Sequence, residues 1–393
     1  MAKGTGTDKL AGLEYKCTTC GHGHPLGGLA WRCSLCGGML DLAGFDPEFP
    51  DPSDIRRRAL GLWRYAGALP LPEGEKLSMG EGDTPLVTVP DRPGLALKLD
   101  YLMPTGSFKD RGAVMLAALA RELGVAHMIA DSSGNAGAAL AAYSARAQIR
   151  CDIYIPDSTS PSKVGQLEAY GATVHLVPGS RADTARAAAI AADEPDVLYA
   201  SHVYNPFYFH GTKTYVLEIW EALGGRLPET LLLPVGNGTL VLGSHLGCRE
   251  LLSQGLIEAL PKIVAVQAAA CAPLAAGPGD TKSSERATVI GPTIAEGIAI
   301  AEPPRREQIL AAVRDTGGEI VTVGEDAIRG AHLALARRGL YVEPTSAVCF
   351  AAYEAGCVGE PPPVYGARFH TVVPLTGSGL KSSPPAIPER GNG

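Results

Sequence analysis

From about residue 125 the sequence alternates between short apolar runs and longer alanine-rich stretches. Short apolar runs are typical of buried strands, and the alanine-rich stretches have the length of helices. Alternation of this kind favours a parallel sheet covered by helices on both faces. The predicted strands are Val125–Ala130, Cys151–Ile155, Thr173–Val177 and Val197–Ala200, and the predicted helices between them are Ala136–Ala147, Pro161–Tyr170 and Arg181–Asp193.

The same alternation resumes beyond residue 210, which predicts a second α/β sheet. The expected elements are a helix over Gly211–Leu223, strand Leu231–Val235, a helix from Thr239, and strands Ile263–Gln267 and Thr371–Leu375. The predicted fold class is therefore α/β, with two parallel-sheet domains.

Four of the nine cysteines form two Cys-x2-Cys pairs separated by twelve residues: Cys17, Cys20, Cys33 and Cys36. Two such pairs can close a tetrahedral four-thiolate zinc site. Four protein ligands leave no open position on the metal, so the predicted zinc is structural. A disulfide framework is the weaker alternative. His22 and His24 are expected to be exposed loop residues rather than ligands.

The chain of 393 residues carries 34 Lys and Arg against 41 Asp and Glu, a net charge of −7. This acidic balance argues against broad attraction to nucleic acid or to an anionic membrane, so a small-molecule partner is expected. It also disfavours a ribbon that contacts nucleic acid. The first sixteen residues lack the apolar core of a signal peptide, and no later run is long enough to span a bilayer, which predicts a cytoplasmic protein.

Three segments combine residue types that carry chemistry. The first, Pro104–Gly112, places Lys109 just inside a predicted helix start, where a partly desolvated amine acts as a nucleophile toward an aldehyde. The second, Asp131–Gly137, follows a strand and opens a helix, so its hydroxyls and Asn135 can converge on an anion or a phenolate. In the third, a strand runs into Gly236–Thr239 and then a helix, which points backbone N–H groups at a phosphate. Each segment alone is also typical of an ordinary cap or turn.

Together these segments resemble the fold-type II family of pyridoxal-phosphate enzymes, the tryptophan synthase beta superfamily, and most closely its threonine synthase-like branch. The resemblance extends over nearly the whole chain. Further segments that carry it are Gly61–Tyr65, Gly80–Leu86, Asn205–Thr214, Val342–Ala347 and Leu375–Lys381. A zinc ribbon ahead of the body is also similar to some members of that branch.

The resemblance implies two cofactors and a role for each matching residue. Lys109 matches the lysine that forms a Schiff base with pyridoxal 5'-phosphate and moves substrate protons, and Asn135 matches the asparagine that hydrogen-bonds the cofactor's ring hydroxyl. Thr376 matches the hydroxyl residue beside the pyridine nitrogen, where other pyridoxal-phosphate folds place an aspartate. The loop around the cofactor phosphate corresponds to Gly236, Asn237, Gly238 and Thr239. Substrate contacts are implied at Ser107, Ser132 and Ser133. All three serines are equally typical of turns and caps. The second cofactor is the structural zinc.

The implied activity is that of a lyase in amino-acid biosynthesis. Conversion of O-phospho-L-homoserine and water to L-threonine and phosphate is the leading expectation. The alternative is elimination or replacement at the β-carbon of serine, threonine or O-phosphoserine, as in dehydratases or cysteate synthase. The segment Thr293–Ile298 is similar to serine/threonine dehydratases.

One segment departs from the threonine synthase pattern. Many family members present an arginine to the substrate phosphate near Asn205, whereas Ser201–His210 contains none. An arginine binds phosphate through two parallel hydrogen bonds, which other cations do not reproduce. Lys213, His202 and His210 are candidate replacements, so the sequence leaves the substrate open.

The implied domains are a zinc ribbon (1–45), a large cofactor-binding domain (46–115 and 205–393) and a small mobile domain (116–204). The cofactor is expected in the cleft between the two larger domains. The expected partner is a small amino-acid substrate, with no nucleic-acid or membrane partner. A homodimer is usual for relatives, and the sequence itself leaves the oligomeric state open.

Overall fold

The computed structural model describes residues 10–55, 61–71, 77–275, 290–358 and 369–382. Within these ranges the strands are β1 (Glu14–Cys17), β2 (Gly23–Pro25), β3 (Leu40–Ala43), β4 (Leu86–Thr88), β5 (Leu95–Lys98), β6 (His127–Ala130), β7 (Arg150–Pro156), β8 (Thr173–Val177), β9 (Val197–Tyr199), β10 (Thr230–Pro234), β11 (Lys262–Ala268), β12 (Glu319–Val323) and β13 (Thr371–Pro374). The helices are α1 (Pro52–Ile55), α2 (Asp110–Glu122), α3 (Asn135–Ala147), α4 (Pro161–Ala169), α5 (Arg181–Ala192), α6 (Phe207–Thr212), α7 (Thr214–Ala222), α8 (Thr239–Ser253), α9 (Arg306–Asp315), α10 (Glu325–Arg337) and α11 (Pro344–Glu354). None of these helices is long and apolar enough to cross a bilayer. Residues 1–9, which contributed to the signal-peptide expectation, lie outside the described ranges.

The chain divides into two compact units. The first unit comprises Met1–Thr84, Met103–Leu227 and Leu242–Leu260, and the second comprises Pro85–Leu102, Pro228–Val241 and Pro261–Gly393. Helix α8 therefore begins in the second unit and continues in the first. The three domains that the resemblance implies, and the cleft between two of them, remain predictions.

The first unit contains one antiparallel and one parallel sheet. Its N-terminal part, which we call the ribbon (residues 10–45), is a three-stranded antiparallel sheet in the order β2-β1-β3. The parallel sheet has the order β8-β7-β6-β9, and α3, α4 and α5 pack on its strands. The strand predicted at Thr173–Val177 coincides with β8. The expectation of parallel α/β structure is confirmed here.

The second unit is built on a six-stranded sheet in the order β12-β11-β10-β13-β5-β4. Neighbouring strands are parallel from β12 to β5, and only the edge strand β4 runs antiparallel. Helices α9 and α11 pack on this sheet. Because Leu232, Val264 and Val373 are almost completely buried, the central strands read as continuous apolar runs. The second predicted parallel sheet is also confirmed.

The helix predicted over Gly211–Leu223 begins earlier than expected and is divided into two. Helix α6 begins at Phe207, whose backbone N–H donates to Oδ1 of Asn205 at 3.1 Å. Helix α7 follows Lys213, which keeps helical dihedral angles between the two. A side-chain cap and the preceding Pro206 therefore set the true start.

Candidate active site

The loops that carry the predicted site residues follow the carboxyl ends of neighbouring parallel strands. In the first unit, β6 and β9 are paired, and they lead into Asp131–Asn135 and into Ser201–His202. In the second unit, β10 and β13 are paired, and they lead into Gly236–Thr239 and into Thr376. Because the carboxyl ends of parallel strands meet at the same edge, each unit brings two of these loops to one edge of its sheet.

Lys109 lies at the N-terminal end of α2, where its backbone is held by an aromatic side chain. It directly precedes Asp110, the first helical residue, and has helical dihedral angles of φ −62° and ψ −23°. The hydroxyl of Tyr208 donates to the Lys109 carbonyl at 3.0 Å. A side chain at Gly112 would overlap the Tyr208 ring, so this ring packs directly against α2. The amine of Lys109 lies 4.7 Å from the centroid of the Phe108 ring. The predicted position just inside the helix is thus shifted by one residue.

Buried charges fix the first turn of α2. Asp110 accepts from the backbone N–H of Thr105 at 2.8 Å and also from the Thr105 hydroxyl. Arg111 donates to both carboxylate oxygens of Glu218, at 2.7 and 2.9 Å. Glu218 accepts in addition from the backbone N–H of Asp83 at 2.9 Å. Both Asp110 and Arg111 are 0% exposed. A buried bidentate pair has one favourable geometry, so these contacts hold the backbone at residue 109 in place.

Ser107 is fully buried, and its hydroxyl has no hydrogen-bond partner in the part of the chain that the structure describes. An unpaired buried hydroxyl costs about 1–3 kcal/mol. Buried polar groups in proteins are nearly always paired with protein, water or a ligand. The Ser107 hydroxyl, two residues from Lys109, is therefore suited to a bound polar ligand.

The loop between β6 and α3 is anchored at both ends. Asp131 accepts from Nη2 of Arg181 at 2.7 Å, and burial together with the nearby charge of Asp131 raises the pKa of Tyr199. Asn135 is the first residue of α3 and is partly buried. These anchors leave the residues between Asp131 and Asn135 at the N-terminal end of a helix, where backbone N–H groups favour an anion.

Ser132 and Ser133 lie within this loop, and both are partly exposed. The Ser132 hydroxyl accepts from the backbone N–H of Gly134 at 3.4 Å, which is the contact expected of a turn residue. Their predicted contact with substrate remains a prediction.

His202 lies at the end of β9, at the same sheet edge as the Asp131–Asn135 loop. Burial lowers the pKa of His202 well below its usual range, and the charges of Lys109 and Arg181 lower it further. The imidazole ring also contacts the Tyr208 ring, with centroids 5.9 Å apart. His202 is therefore a neutral group among the residues that hold Lys109.

In the second unit, the Gly236–Thr239 loop joins β10 to α8. A Cβ atom at Gly236 would lie 2.9 Å from Cα of Ile298, and Gly238 has φ +78°, which strains any other residue. The loop presents the first backbone N–H groups of α8. This is the arrangement that binds phosphate groups at helix N-termini.

Thr376 is held by a serine that sequence reasoning did not assign. The Ser346 hydroxyl accepts from the backbone N–H of Thr376 at 2.9 Å and from that of Gly377 at 2.8 Å. It also lies 3.0 Å from the Thr376 hydroxyl. Both side chains are buried, so the Thr376 hydroxyl has a fixed neutral partner.

Lys213 and His210, two of the candidates for binding a substrate phosphate, belong to a buried cluster instead. Lys213 is 0% exposed, and its amine donates to both oxygens of Glu250 at 2.8 and 2.6 Å. Nδ1 of His210 lies 3.0 Å from the same amine. Burial lowers the pKa of Lys213 and of His210 and raises that of Glu250. The expectation that Lys213 and His210 replace an arginine is therefore wrong.

The four predicted metal ligands come together in the ribbon. The Sγ atoms of Cys17, Cys20, Cys33 and Cys36 all lie within 4.8 Å of one another, so this group could hold a metal ion. The backbone N–H groups of Cys20 and Thr19 donate to the Cys17 sulfur and lower its pKa to about 6. Sulfur atoms of opposite pairs are 3.5 Å apart, well beyond the ~2.05 Å of a disulfide bond. All nine cysteines are free, which argues against the disulfide alternative.

The two histidines of the ribbon differ in burial. His22 is exposed, as expected. His24 is buried in β2, so the expectation of an exposed loop residue is wrong for this position. Pairing of β2 with β1 places His24 opposite Tyr15, which is also buried, and so turns both side chains inward.

Comparison with known proteins identifies the family. Residues 77–364 match the sequence family described as "Pyridoxal-phosphate dependent enzyme". The chain belongs to this family. Threonine synthase of Methanocaldococcus jannaschii is 34% identical over 351 residues, which cover 85% of this chain and 84% of the relative. Threonine synthase of Methanosarcina acetivorans is 31% identical over 390 residues, which cover 95% and 93%.

A solved structure with the same fold is the processed form of threonine deaminase isoform 2 from Solanum lycopersicum. The TM-score is 0.63 at 21% identity, with 85% of this chain and 86% of the other covered. This likeness shows the fold of fold-type II pyridoxal-phosphate enzymes. With threonine synthase homologues over most of its length, the chain is a pyridoxal-phosphate dependent enzyme of a kind consistent with a lyase.

Two residues of this pyridoxal-phosphate enzyme were missed by sequence reasoning, Tyr208 and Ser346. Tyr208 contacts a residue 99 positions away, and Ser346 contacts one 30 positions away. A local pattern does not reveal such contacts. The available signal was their position, since Tyr208 follows an Asn-Pro helix start and Ser346 opens α11 after Pro344.

Proposed function

We propose that this enzyme is a threonine synthase-like lyase that converts O-phospho-L-homoserine and water to L-threonine and phosphate. The observation that carries the proposal is the similarity to threonine synthases over 85% and 95% of the chain. The reaction class also agrees with the amine of Lys109 at a helix start and with the glycine loop before α8.

The residues present fit pyridoxal 5'-phosphate. The Gly236–Thr239 loop offers helix N-terminal N–H groups for its phosphate, and Ser107 offers a buried hydroxyl that lacks a partner among the described residues. Asn135 would hold the ring hydroxyl, and Thr376 would face the ring nitrogen. When bound, pyridoxal phosphate supplies a carbonyl that condenses with amines and a conjugated ring that delocalises the electron pair left by a departing Cα proton.

Lys109 would hold the cofactor and move the substrate's protons. Its amine takes the proton from Cα and returns protons later in the reaction, as a general base and then a general acid. The Tyr208 hydroxyl and the Arg111–Glu218 pair fix the backbone, so the amine moves through rotations of its own side chain only. A fixed backbone keeps the reacting atoms within reach, which is worth several powers of ten in rate.

Thr376 would keep the ring nitrogen in a neutral environment. A hydroxyl held by the Ser346 hydroxyl carries no charge, unlike an aspartate. A neutral hydroxyl at this position would leave the ring of a bound cofactor a weaker electron sink than an aspartate would.

A specific observation supports the second candidate, elimination or replacement on serine, threonine or O-phosphoserine. Two of the candidate residues for binding the substrate phosphate, Lys213 and His210, are buried with Glu250. The third, His202, is neutral because burial lowers its pKa. Serine and threonine carry no phosphate group and would need none of these cations, so the observation supports these two substrates and not O-phosphoserine.

A product survey separates the two candidates. The enzyme is incubated in turn with O-phospho-L-homoserine, with O-phospho-L-serine and sulfite, with L-serine and with L-threonine. Phosphate, keto acid and new amino acids are then measured. The proposal predicts threonine and phosphate in equal amounts from O-phospho-L-homoserine. Keto acid from serine or threonine, with no threonine formed from O-phospho-L-homoserine, would establish the second candidate instead.

We also propose that the four cysteines hold a structural zinc ion. Four cysteine sulfur atoms within 4.8 Å of one another match the ligand set of closed zinc sites. Cys17→Ser should lower both the zinc content and the thermal stability of the purified protein. The control is Cys248→Ser, a buried cysteine outside the ribbon, which should keep one zinc per chain. A Cys17→Ser protein with full zinc content would contradict the ligand set.

A further inference from the structure

The ribbon contacts the stretch Tyr199–Lys213 of the first unit through three aromatic side chains, two of which are Tyr15 and Phe45. The Tyr15 ring lies edge-on to Phe207, with centroids 6.2 Å apart. The Phe45 ring lies edge-on to His210, with centroids 5.4 Å apart. The same stretch carries Tyr208, whose hydroxyl donates to the Lys109 carbonyl, and His202, whose ring contacts the Tyr208 ring. The ribbon is thus packed on a part of the chain that also forms the candidate active site.

The third aromatic side chain, Trp31, makes the most specific of these contacts. Its indole ring lies edge-on to Tyr199 at 5.1 Å and edge-on to Tyr204 at 5.0 Å between centroids. The indole N–H donates to Oδ1 of Asp193 at 3.0 Å, which fixes the orientation of the ring. Trp31 is only two residues from Cys33 in sequence. Its position therefore depends on the turn that the four cysteines close.

Both tyrosines lie close to residues of the candidate active site. In the parallel sheet Tyr199 is paired with Ile129, two residues before Asp131, which anchors the Ser132–Asn135 loop through Arg181. Tyr204 is two residues from His202, whose pKa is lowered in part by the charge of Lys109. The two tyrosine rings also stack on each other at 5.8 Å. Movement of Trp31 would thus disturb both loops at the carboxyl edge of the parallel sheet.

We propose that Trp31 is a positioning residue that couples the four-cysteine ribbon to the cofactor site. It holds Tyr199 and Tyr204, and through them it sets the Ser132–Asn135 loop and the His202 segment. Closure of the ribbon by a metal ion places Trp31, because a small antiparallel sheet with little core of its own depends on its metal for a fixed structure. The ribbon is then more than a stabilising attachment, since its folded state sets the affinity for pyridoxal phosphate. Only the part of this proposal that concerns metal removal rests on the proposed zinc site.

Cofactor affinity provides a readout that does not depend on turnover. The apoenzyme is titrated with pyridoxal phosphate, with binding followed by absorbance, in wild type and in Trp31→Ala. Each protein is measured with its metal and after removal of the metal by a chelator. Removing the metal from wild type should weaken cofactor binding about tenfold, within the range typical of coupled sites. Trp31→Ala should weaken it by a similar factor, and metal removal should then add less than a factor of about two, since both changes act through one contact.

Two further variants keep the test interpretable. Trp31→Phe retains an edge-on ring but loses the bond to Asp193, so it should fall between wild type and Trp31→Ala. Glu14→Gln is the matched control, because it removes an exposed charge from strand β1 of the ribbon and leaves the contacts of Trp31 in place, whereas Arg32 lies over the indole ring, 4.4 Å from its centroid. Its cofactor affinity should stay within about twofold of wild type, as expected for an exposed surface substitution.

Hydrogen exchange distinguishes coupling from a local role for Trp31. Metal removal from wild type should increase amide exchange in peptides covering residues 131–135 and 199–208 as well as in the ribbon. Exchange that rises in the ribbon alone would overturn the proposal. The proposal would also be overturned if metal removal weakened cofactor binding by the same factor in wild type and in Trp31→Ala, or if it left the cofactor affinity of both unchanged. If metal analysis finds no bound metal, the zinc proposal fails separately, and the affinities of Trp31→Ala and Trp31→Phe still decide the role of Trp31.

Discussion

The segment that carries Lys109 and the segment that carries Thr376 are held by different kinds of interaction. Around Lys109, buried ions fix the backbone, with Asp110 bonded to Thr105 and Arg111 paired with Glu218. Around Thr376, neutral hydroxyl and backbone groups take that role, mainly through Ser346. A buried ion that loses its partner is far more costly than a neutral group that loses one. The Lys109 segment should therefore tolerate fewer substitutions than the Thr376 segment.

The largest effect is expected at Lys109 itself. Lys109→Ala removes the amine that holds the cofactor and moves the protons, so turnover should fall by at least about a thousandfold. The absorbance of bound cofactor should change with it. Lys262→Ala, an exposed lysine paired with Glu319, is the control and should leave turnover unchanged. Wild-type turnover in Lys109→Ala would remove Lys109 from the chemistry.

The next largest effect is expected at the buried ion pair of the Lys109 segment. Glu218→Gln leaves the charge of Arg111 uncompensated, so the free energy of unfolding should fall by about 3–5 kcal/mol. Denaturant unfolding followed by fluorescence measures this loss. Glu354→Gln breaks an exposed pair with Arg92 and should cost only ~0–1 kcal/mol. Similar losses in the two variants would erase the contrast between buried and exposed pairs.

A smaller loss is expected in the Thr376 segment. Ser346→Ala leaves two buried backbone N–H groups, those of Thr376 and Gly377, without their acceptor. Each unpaired group costs about 1–3 kcal/mol. We expect a water molecule to enter the space left by the hydroxyl and to pair one of the two N–H groups, so the free energy of unfolding should fall by about 1–3 kcal/mol, less than for Glu218→Gln. Ser253→Ala removes an exposed hydroxyl and serves as the control. A larger loss for Ser346→Ala than for Glu218→Gln would reverse the comparison.

The smallest effect concerns pH. Burial holds His210 neutral in the folded protein, with its pKa well below the 6.5 of an ordinary histidine. At pH values below 6.5 the imidazole of residue 210 binds a proton in the unfolded chain but not in the folded chain. Its contribution to the free energy of unfolding is therefore complete above about pH 6.5 and falls as the pH is lowered. Each such histidine contributes a slope of about 1.4 kcal/mol per pH unit. His210→Gln should reduce the acid slope of wild type by this amount in denaturant unfolding between pH 6.5 and 5. An unchanged slope would show that His210 is not held neutral.

Much of the fold could be predicted because the spacing of apolar residues along the chain is a local signal of secondary structure and of burial. Parallel strands covered on both faces are continuous apolar runs, and β10 and β11 were predicted to within one residue at each end for that reason. Strands β4 and β12 were not predicted, since they are short and partly exposed and lie at the edges of their sheet. The start of α6 was missed because a cap from Asn205 outweighs the apolar pattern that follows.

The candidate site could be predicted only where a motif is continuous in sequence. Lys109 and the Gly236–Thr239 loop lie in such motifs. Tyr208 and Ser346 act through contacts between distant positions, and the only local signal is that each lies near a helix start that follows a proline. The wrong expectation for Lys213 has the same origin, because its partner Glu250 lies 37 positions away.

The central claim is that pyridoxal phosphate is attached to the amine of Lys109. The most direct measurement is reduction of the native enzyme with borohydride, followed by proteolysis and mass spectrometry of the peptides. The account predicts the mass of the reduced cofactor on the peptide that contains Lys109. The same mass on a peptide with another lysine, or on no peptide of a protein that retains its activity, would contradict it.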